Sequence, residues 1–515
     1  MGKETSPSFV VGRLIFCSNV FCPNVFFPNF FVQVPVLPGT QRRAARMHNG
    51  ATDKSSLFLL SIAAPGGRCA SISRFITSLR LTRRPRLKVI PRDQHCISRR
   101  NISQSALKVM ARLREHQHEA YLVGGAVRDL LLGGHPKDFD VATDATPEEV
   151  HALFRNSRLI GRRFRIVHVR FGREIIEVTT FRGHHDSVDE SGNTAHMAKR
   201  SDEGMLLRDN VFGTLEEDAV RRDLSVNALY YNSGNFELYD QVGGLDDLRR
   251  REIRVIGDPA ERYREDPVRM LRTVRFAGKL DFDVEPGSAA PIRELAPLLA
   301  EVPAARLFDE FCKLFLSGYA APVLHLLRQY TLFDQLFPDT ARIASKDAFT
   351  ARLLDCAMHN TDERIAIDKP VTPAFILAAI LWPAVQERVE QLTGRGDSEV
   401  QAMHSAAQEV VATACTRIAI PRRFSMPMRE IWEMQRRLWR PQGKRAVELM
   451  SHKRFRAAYD FLLLREQAGE DCQQLGATWT RMQEEHGPIV VNTQDDEPPP
   501  RRRRRGGRRR PPPAP

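Results

Sequence analysis

The chain has 515 residues, room for several domains of roughly 150, and 42% of it is hydrophobic, enough for a sizeable core. No apolar run reaches the roughly 18 residues that suggest a membrane-spanning helix. The eight cysteines (Cys17, Cys22, Cys69, Cys96, Cys312, Cys356, Cys415, Cys472) contain no C-x-x-C pair, which argues against a zinc cage or disulfide scaffold and suits a reducing compartment. The net charge of +14 is unevenly spread: residues 1–100 hold +13 and 501–515 hold +8, leaving −7 for the 400 residues between. A mildly acidic body with two basic ends suits a polyanion gripped partly at the termini.

Residues 1–90 read as a disordered or non-native extension. Four prolines break the apolar stretch FCPNVFFPNFFVQVPVLPG (21–39), so neither helix nor central strand survives there. It lacks the continuous apolar segment and cleavage site of a signal peptide. The Ser/Arg-rich SISRFITSLRLTRRPRLK follows.

Organised structure is expected from about residue 91. AYLVGG (120–125) reads as a short buried strand ending in two glycines. AVRDLLLGG reads as a helix stopped by Gly133 and Gly134, and PKDFDVAT (136–143) as a second strand. Alternation along that strand puts Asp138 and Asp140 on one face and turns Phe139 into the core. Two adjacent carboxylates repel unless neutralised; a hard divalent cation such as magnesium suits them. A D-x-D alone is equally a solvated strand end. Here it follows a Gly124–Gly125 turn, where missing side chains and a helix start let a phosphate approach backbone N–H groups. Arg128, one turn on, can reach the same anion.

Farther on, EIIEVTTFR (174–182) reads as a strand by its β-branched residues. Glu177 on it is either a third carboxylate or an ion-pair partner. RRDLSVNAL (221–229) reads as a helix, in which Arg222 and Asp223 could form a buried pair. In REDPVRMLRTVRF (264–276), Pro267 fits a first helical turn. Arg269, Arg272 and Arg275 then form one stripe, with Leu271 and Val274 on another face. The loop from His184 to Asp209 is long and polar, and a segment that orders over nucleotide or RNA is expected there. From about 250 to 485 apolar spacings of three and four predict helices, including AARLFDEFCKLFLSGYAAPVLHLLRQY and a buried TPAFILAAILWPAV. Phe311, Phe315, Trp432 and Trp439 are expected in the core. The tail DDEPPPRRRRRGGRRRPPPAP cannot pack; Arg501, Arg502, Arg503, Arg504, Arg505, Arg508, Arg509 and Arg510 could displace counterions from a nucleic acid without reading sequence.

LVGGAVRDLLLG followed by KDFDVAT resembles the signature of class II nucleotidyltransferases of the polymerase-beta superfamily, the bacterial poly(A) polymerases and CCA-adding enzymes. EEDAVRRDLSVNALYY (216–231) and DQVGGLDDLRRREIRVIGDPAERYREDPVRMLRTVRFAGKL (240–280) resemble its next motifs, in order. The resemblance covers roughly residues 88–465.

It implies an α/β head with a mixed sheet (91–245), a neck of RNA- and nucleotide-binding helices (246–315), and a helical body with an arginine-rich C-terminal region (316–485), before a disordered tail (486–515). It implies magnesium or manganese on Asp138 and Asp140, and makes Asp223 an active-site carboxylate. Gly124, Gly125, Arg128, Arg222 and Asn227 would meet the nucleotide's phosphates and sugar, and Asp266 and Arg269 its base. The implied activity is template-independent transfer of AMP from ATP to RNA 3′ ends, with a CCA-adding enzyme as alternative. An RNA-binding adaptor with an inactive head is the reading from another class. LIGRRFRIVHVRFG (159–172) resembles a stretch marking the poly(A) enzymes, and its Arg162 and Arg163 could touch RNA. The arginine-rich end also favours adenylate tailing, as does the lack of a His-Asp phosphohydrolase motif. The family further implies a cytoplasmic protein, at times peripheral at the inner membrane, in contact with RNA decay machinery. A monomer is expected.

Overall fold

The computed structural model describes residues 87–161, 165–183 and 212–486. Arg162, Arg163, the His184–Asp209 loop, the arginine tail and residues 1–86 therefore lie outside the described residues.

The head is built on an eight-stranded mixed sheet ordered β1-β8-β7-β2-β3-β6-β5-β4. Its strands are β1 (Lys88–Ile90), β2 (Ala120–Val123), β3 (Asp140–Thr143), β4 (Ser157–Ile160), β5 (Ile166–Phe171), β6 (Glu174–Thr180), β7 (Leu229–Tyr231) and β8 (Leu238–Asp240). Only β3 and β6 pair in parallel; the other neighbours are antiparallel. β1 lies inside the stretch expected to be an extension, so the end of that stretch belongs to the fold: Val89 pairs with Tyr239 and Ile90 is buried. Every residue of β2 is buried, as befits a central strand covered on both faces.

Helix α1 (Gln104–Glu115) is capped by Ser103 and buries Ala106, Leu107, Val109, Met110 and Leu113 at helical spacing. α2 (Gly125–Leu131) follows β2 directly. α3 (Pro147–Leu153) and α4 (Leu215–Arg221) both start in capping boxes, Thr146 with Glu149 and Thr214 with Glu217.

The segment after α4 corrects one expectation. Residues 221–229 do not continue as a helix: Arg222 leaves α4 in extended conformation, Leu224 bridges Val255, and a single 3₁₀ turn covers Ser225–Asn227. Backbone bonds from Ser225 to Arg254 and from Ile256 to Asp223 replace the helical ladder. Tertiary pairing has overridden the local pattern. The turn is held from below by α5 (Gly244–Arg250). Its fully buried Asp247 accepts from Ser225 Oγ at 2.5 Å and Arg254 Nε at 2.8 Å. Gly244 is obligatory, because a Cβ there would lie 2.1 Å from the Ser225 carbonyl.

The neck comprises α6 (Pro259–Glu265) and α7 (Val268–Leu280), beside the short parallel pair β9 (Glu252–Ile253) and β10 (Asp283–Val284). Helices α8 to α20 then occupy Pro286–His486. Among them α15 (Pro373–Thr393) is buried on all sides from Ile376 to Val385. α17 (Arg422–Leu438) docks on it through Trp432, whose indole N–H donates to the Ala378 carbonyl at 3.0 Å. Phe311, Phe315 and Trp432 are core as expected, but Trp439 ends α17 and is 40% exposed. No helix among the described residues is long and apolar enough to cross a membrane.

Candidate active site

The turn Val123-Gly124-Gly125 leads from the central strand into α2. Gly124 holds φ +74° and ψ −135°, a conformation costly for any residue with a Cβ. Arg222 and Asn227 flank it: a Cβ at Gly124 would sit 3.7 Å from Arg222 NH1 and 4.0 Å from the Asn227 carbonyl. Gly124, Arg222 and Asn227, distant in sequence, thus share one place.

Facing them is the carboxylate group. β3 starts at Asp140 rather than Pro136, so Asp138 sits exposed on its approach, Phe139 is buried between, and Asp140 is half-buried. Parallel pairing of β3 with β6 sets Asp140 opposite Glu177. Burial, then repulsion from Glu177 and Asp138, pushes the Asp140 carboxyl up to about 6, against the pull of Arg222. Glu177 also lies 3.7 Å from His168 Nε2 on β5, so it serves the ion pair and the carboxylate group together.

Arg222 is oriented from behind. Its Nε and NH2 donate to Asp218 Oδ2 at 3.1 and 3.0 Å, and Nε also to the Tyr230 hydroxyl at 2.8 Å. Sequence reading passed over Asp218 and Tyr230. The signal for Asp218 was present: it stands four residues before Arg222, at helical pairing distance.

Four expected site residues are engaged by protein partners. Arg128 is 1% exposed, with Nε and NH2 on Asp129, NH1 on Asn227 Oδ1 at 2.6 Å, and its guanidinium over the Phe276 ring. It pins Asn227, and its NH2 lies at the glycine turn, 3.5 Å from where a Cβ on Gly125 would stand. Asp223 was expected beside the other active-site carboxylates. Instead its two oxygens are taken by Arg269 Nε (2.9 Å) and Arg272 NH1 (2.5 Å) of the neck helix. Burial alone would raise its pKa, but Arg272 and Arg269 bring it down to about 2. Arg269, itself buried, also bonds Glu265 and the Arg262 carbonyl. Arg269 and Arg272 of the stripe therefore clamp Asp223, while Arg275 lies over the Phe276 ring. Asp266 is gripped by both terminal nitrogens of Arg306, at 2.8 and 2.6 Å, from α10 (Ala304–Phe315). Arg306 is a site neighbour that no local sequence pattern marked.

Among the described residues no three His, Cys, Asp or Glu side chains converge tightly enough to hold a metal unaided. Magnesium seldom uses a full protein cage; one or two carboxylates plus substrate phosphates commonly complete its shell. The donor set fits that pattern: hard carboxylate oxygens, with Glu177 and Asp138 close enough to raise Asp140.

Three family models match: poly A polymerase head domain over residues 120–254, the "probable RNA and SrmB-binding site of polymerase A" over 281–343, and the polymerase A arginine-rich C-terminus over 395–511. The chain is 48% identical over 410 residues to poly(A) polymerase I of Salmonella typhimurium, covering 79% of this chain and 88% of that one. With the CCA-adding enzyme of Bacillus licheniformis it shares 38% identity over 231 residues, 45% of this chain and 55% of that one. Among solved structures it is similar in fold to the Thermotoga maritima CCA-adding enzyme complexed with tRNA. The TM-score there is 0.51 at 17% identity, covering 79% of this chain and 88% of that one.

Proposed function

The chain belongs to the poly(A) polymerase family, and on that premise we propose that it is a template-independent polynucleotide adenylyltransferase that adds AMP from ATP to RNA 3′ ends. The observation that carries the reading is the meeting of Asp138, Asp140 and Glu177 with Gly124, Arg222 and Asn227 at one end of the central strands.

Transfer requires attack by the RNA 3′ oxygen on the α-phosphorus of ATP, with loss of pyrophosphate. Gly124 and Gly125 leave the strand end bare, so the triphosphate can lie against the backbone. Arg222 NH1 faces the same spot and meets its charge; Asn227, pinned by Arg128, is set for the sugar or phosphate. Asp138 and Asp140 would hold magnesium or manganese, which when bound supplies Lewis-acid charge to the 3′ hydroxyl and the triphosphate. Asp266 and Arg269 would reach the base only by giving up part of their present pairing with Arg306 and with Asp223 and Glu265. Because these groups are positioned before substrate arrives, the rate gain is mostly orientation and preorganised charge. The eight arginines of 501–515 add a grip on RNA that is blind to sequence.

The extent of similarity supports adenylate tailing over CCA addition: the match to the tailing enzyme runs through the body and C-terminal region, whereas that to the CCA enzyme spans under half the chain. The test is incubation with magnesium, single nucleotides, and either generic RNA or tRNA lacking its 3′ end. Long tails from ATP alone on generic RNA are expected. Limited C and A addition only on tRNA would identify the alternative. Asp138→Ala and Asp140→Ala together should leave a folded protein without nucleotide transfer; surviving magnesium-dependent activity would overturn the site.

A further inference from the structure

The Arg222 guanidinium is locked along one edge. Nε and NH2 both reach Asp218 Oδ2, Nε also reaches the Tyr230 hydroxyl, and NH1 is the nitrogen turned toward Gly124. The Tyr230 hydroxyl in turn donates to Asp218 Oδ2 at 2.6 Å. Asp218 Oδ1 takes the backbone N–H of Arg182 at 3.2 Å, just beyond the strand that carries Glu177. Tyr230 pairs with Val123, the residue before the glycine turn, and its ring sits in an aromatic nest with Tyr121 and Phe181. One buried carboxylate and one buried phenol thus tie together β2, β6, β7 and the arginine that faces the turn.

We propose that Asp218 and Tyr230 are positioning residues that act through Arg222, aiming its NH1 at the phosphates of the bound nucleotide. A free arginine side chain would surrender rotamer entropy on each binding event; here that ordering is already built into the fold. Burial raises the Tyr230 phenol well above its ordinary value, so it stays protonated and remains a donor to Asp218. The inference rests on the reading that Arg222 meets the nucleotide.

Tyr230→Phe deletes one oxygen and keeps the ring in its nest. Its expected effect is a rise in KM for ATP of about tenfold, the size of one charge-assisted hydrogen bond. KM for RNA should be unchanged and thermal unfolding close to that of the unaltered protein. The decisive measurement is a double-mutant cycle: in an Arg222→Met background, Tyr230→Phe should change KM for ATP no further. Asp218→Asn, which keeps the shape and one acceptor, should follow the same rule. An unchanged KM for ATP in Tyr230→Phe overturns the proposal, as does an equal loss with and without Arg222. If Arg222→Met alone leaves KM for ATP unchanged, the nucleotide-binding role of Arg222 itself fails, an outcome distinct from failure of Tyr230 alone.

Discussion

Asp223→Asn tests whether this side chain clamps head to neck. The carboxylate sits between Arg269 and Arg272, and its pKa falls from 3.8 to about 2. At about 1.36 kcal/mol per unit, that shift corresponds to roughly 2–3 kcal/mol of stability. The variant also removes one of the two carboxylates that hold the buried Arg269, leaving Glu265, so the loss should lie between about 2 and 5 kcal/mol. The sign of the pH dependence follows from the lowered folded-state value. The contribution is fully present above the unfolded value of 3.8 and is lost as pH falls from there through about 2. Urea unfolding followed by circular dichroism at about pH 5 and about pH 8 should therefore give the same gap between the two proteins. A variant as stable as its parent would refute the clamp, and so would a gap that changes across that range. A drop in kcat of about a thousandfold with stability intact would instead make Asp223 an active-site carboxylate.

Gly124→Ala should lower stability by about 1–3 kcal/mol because the backbone there has positive φ, and should raise KM for ATP because the added methyl would stand where a phosphate approaches the backbone. Normal nucleotide affinity in this variant would refute the close backbone approach of the phosphates. Deleting residues 501–515 should weaken RNA binding and flatten its salt dependence, by about 0.7 in log–log slope for each phosphate released. KM for ATP should hold, and an unchanged salt slope would show that the arginines touch no RNA.

Local pattern alone located much of the head. The apolar run 120–123 bounded by two glycines marks a central strand because only an element buried on both faces tolerates four consecutive apolar side chains. Alternation along PKDFDVAT marks Asp138 and Asp140 as outward and Phe139 as inward, and Phe139 is buried between them. Apolar spacing of three to four residues likewise exposed α10, and a continuous apolar run exposed the buried α15. What local pattern could not supply was partnership across long separations. The stretch 221–229 reads as helix until Arg254 and Ile256 offer their backbone groups to it. Arg128 reads as a phosphate contact and Asp223 as an active-site carboxylate; their partners Asn227, Arg269 and Arg272 come from distant parts of the chain that no local pattern marks. Asp218 and Tyr230 lie inside the 216–231 motif, but only the fold shows that both close on Arg222. A charged side chain's chemistry depends on which counter-charge reaches it first, and in this protein that counter-charge often comes from an element far along the chain.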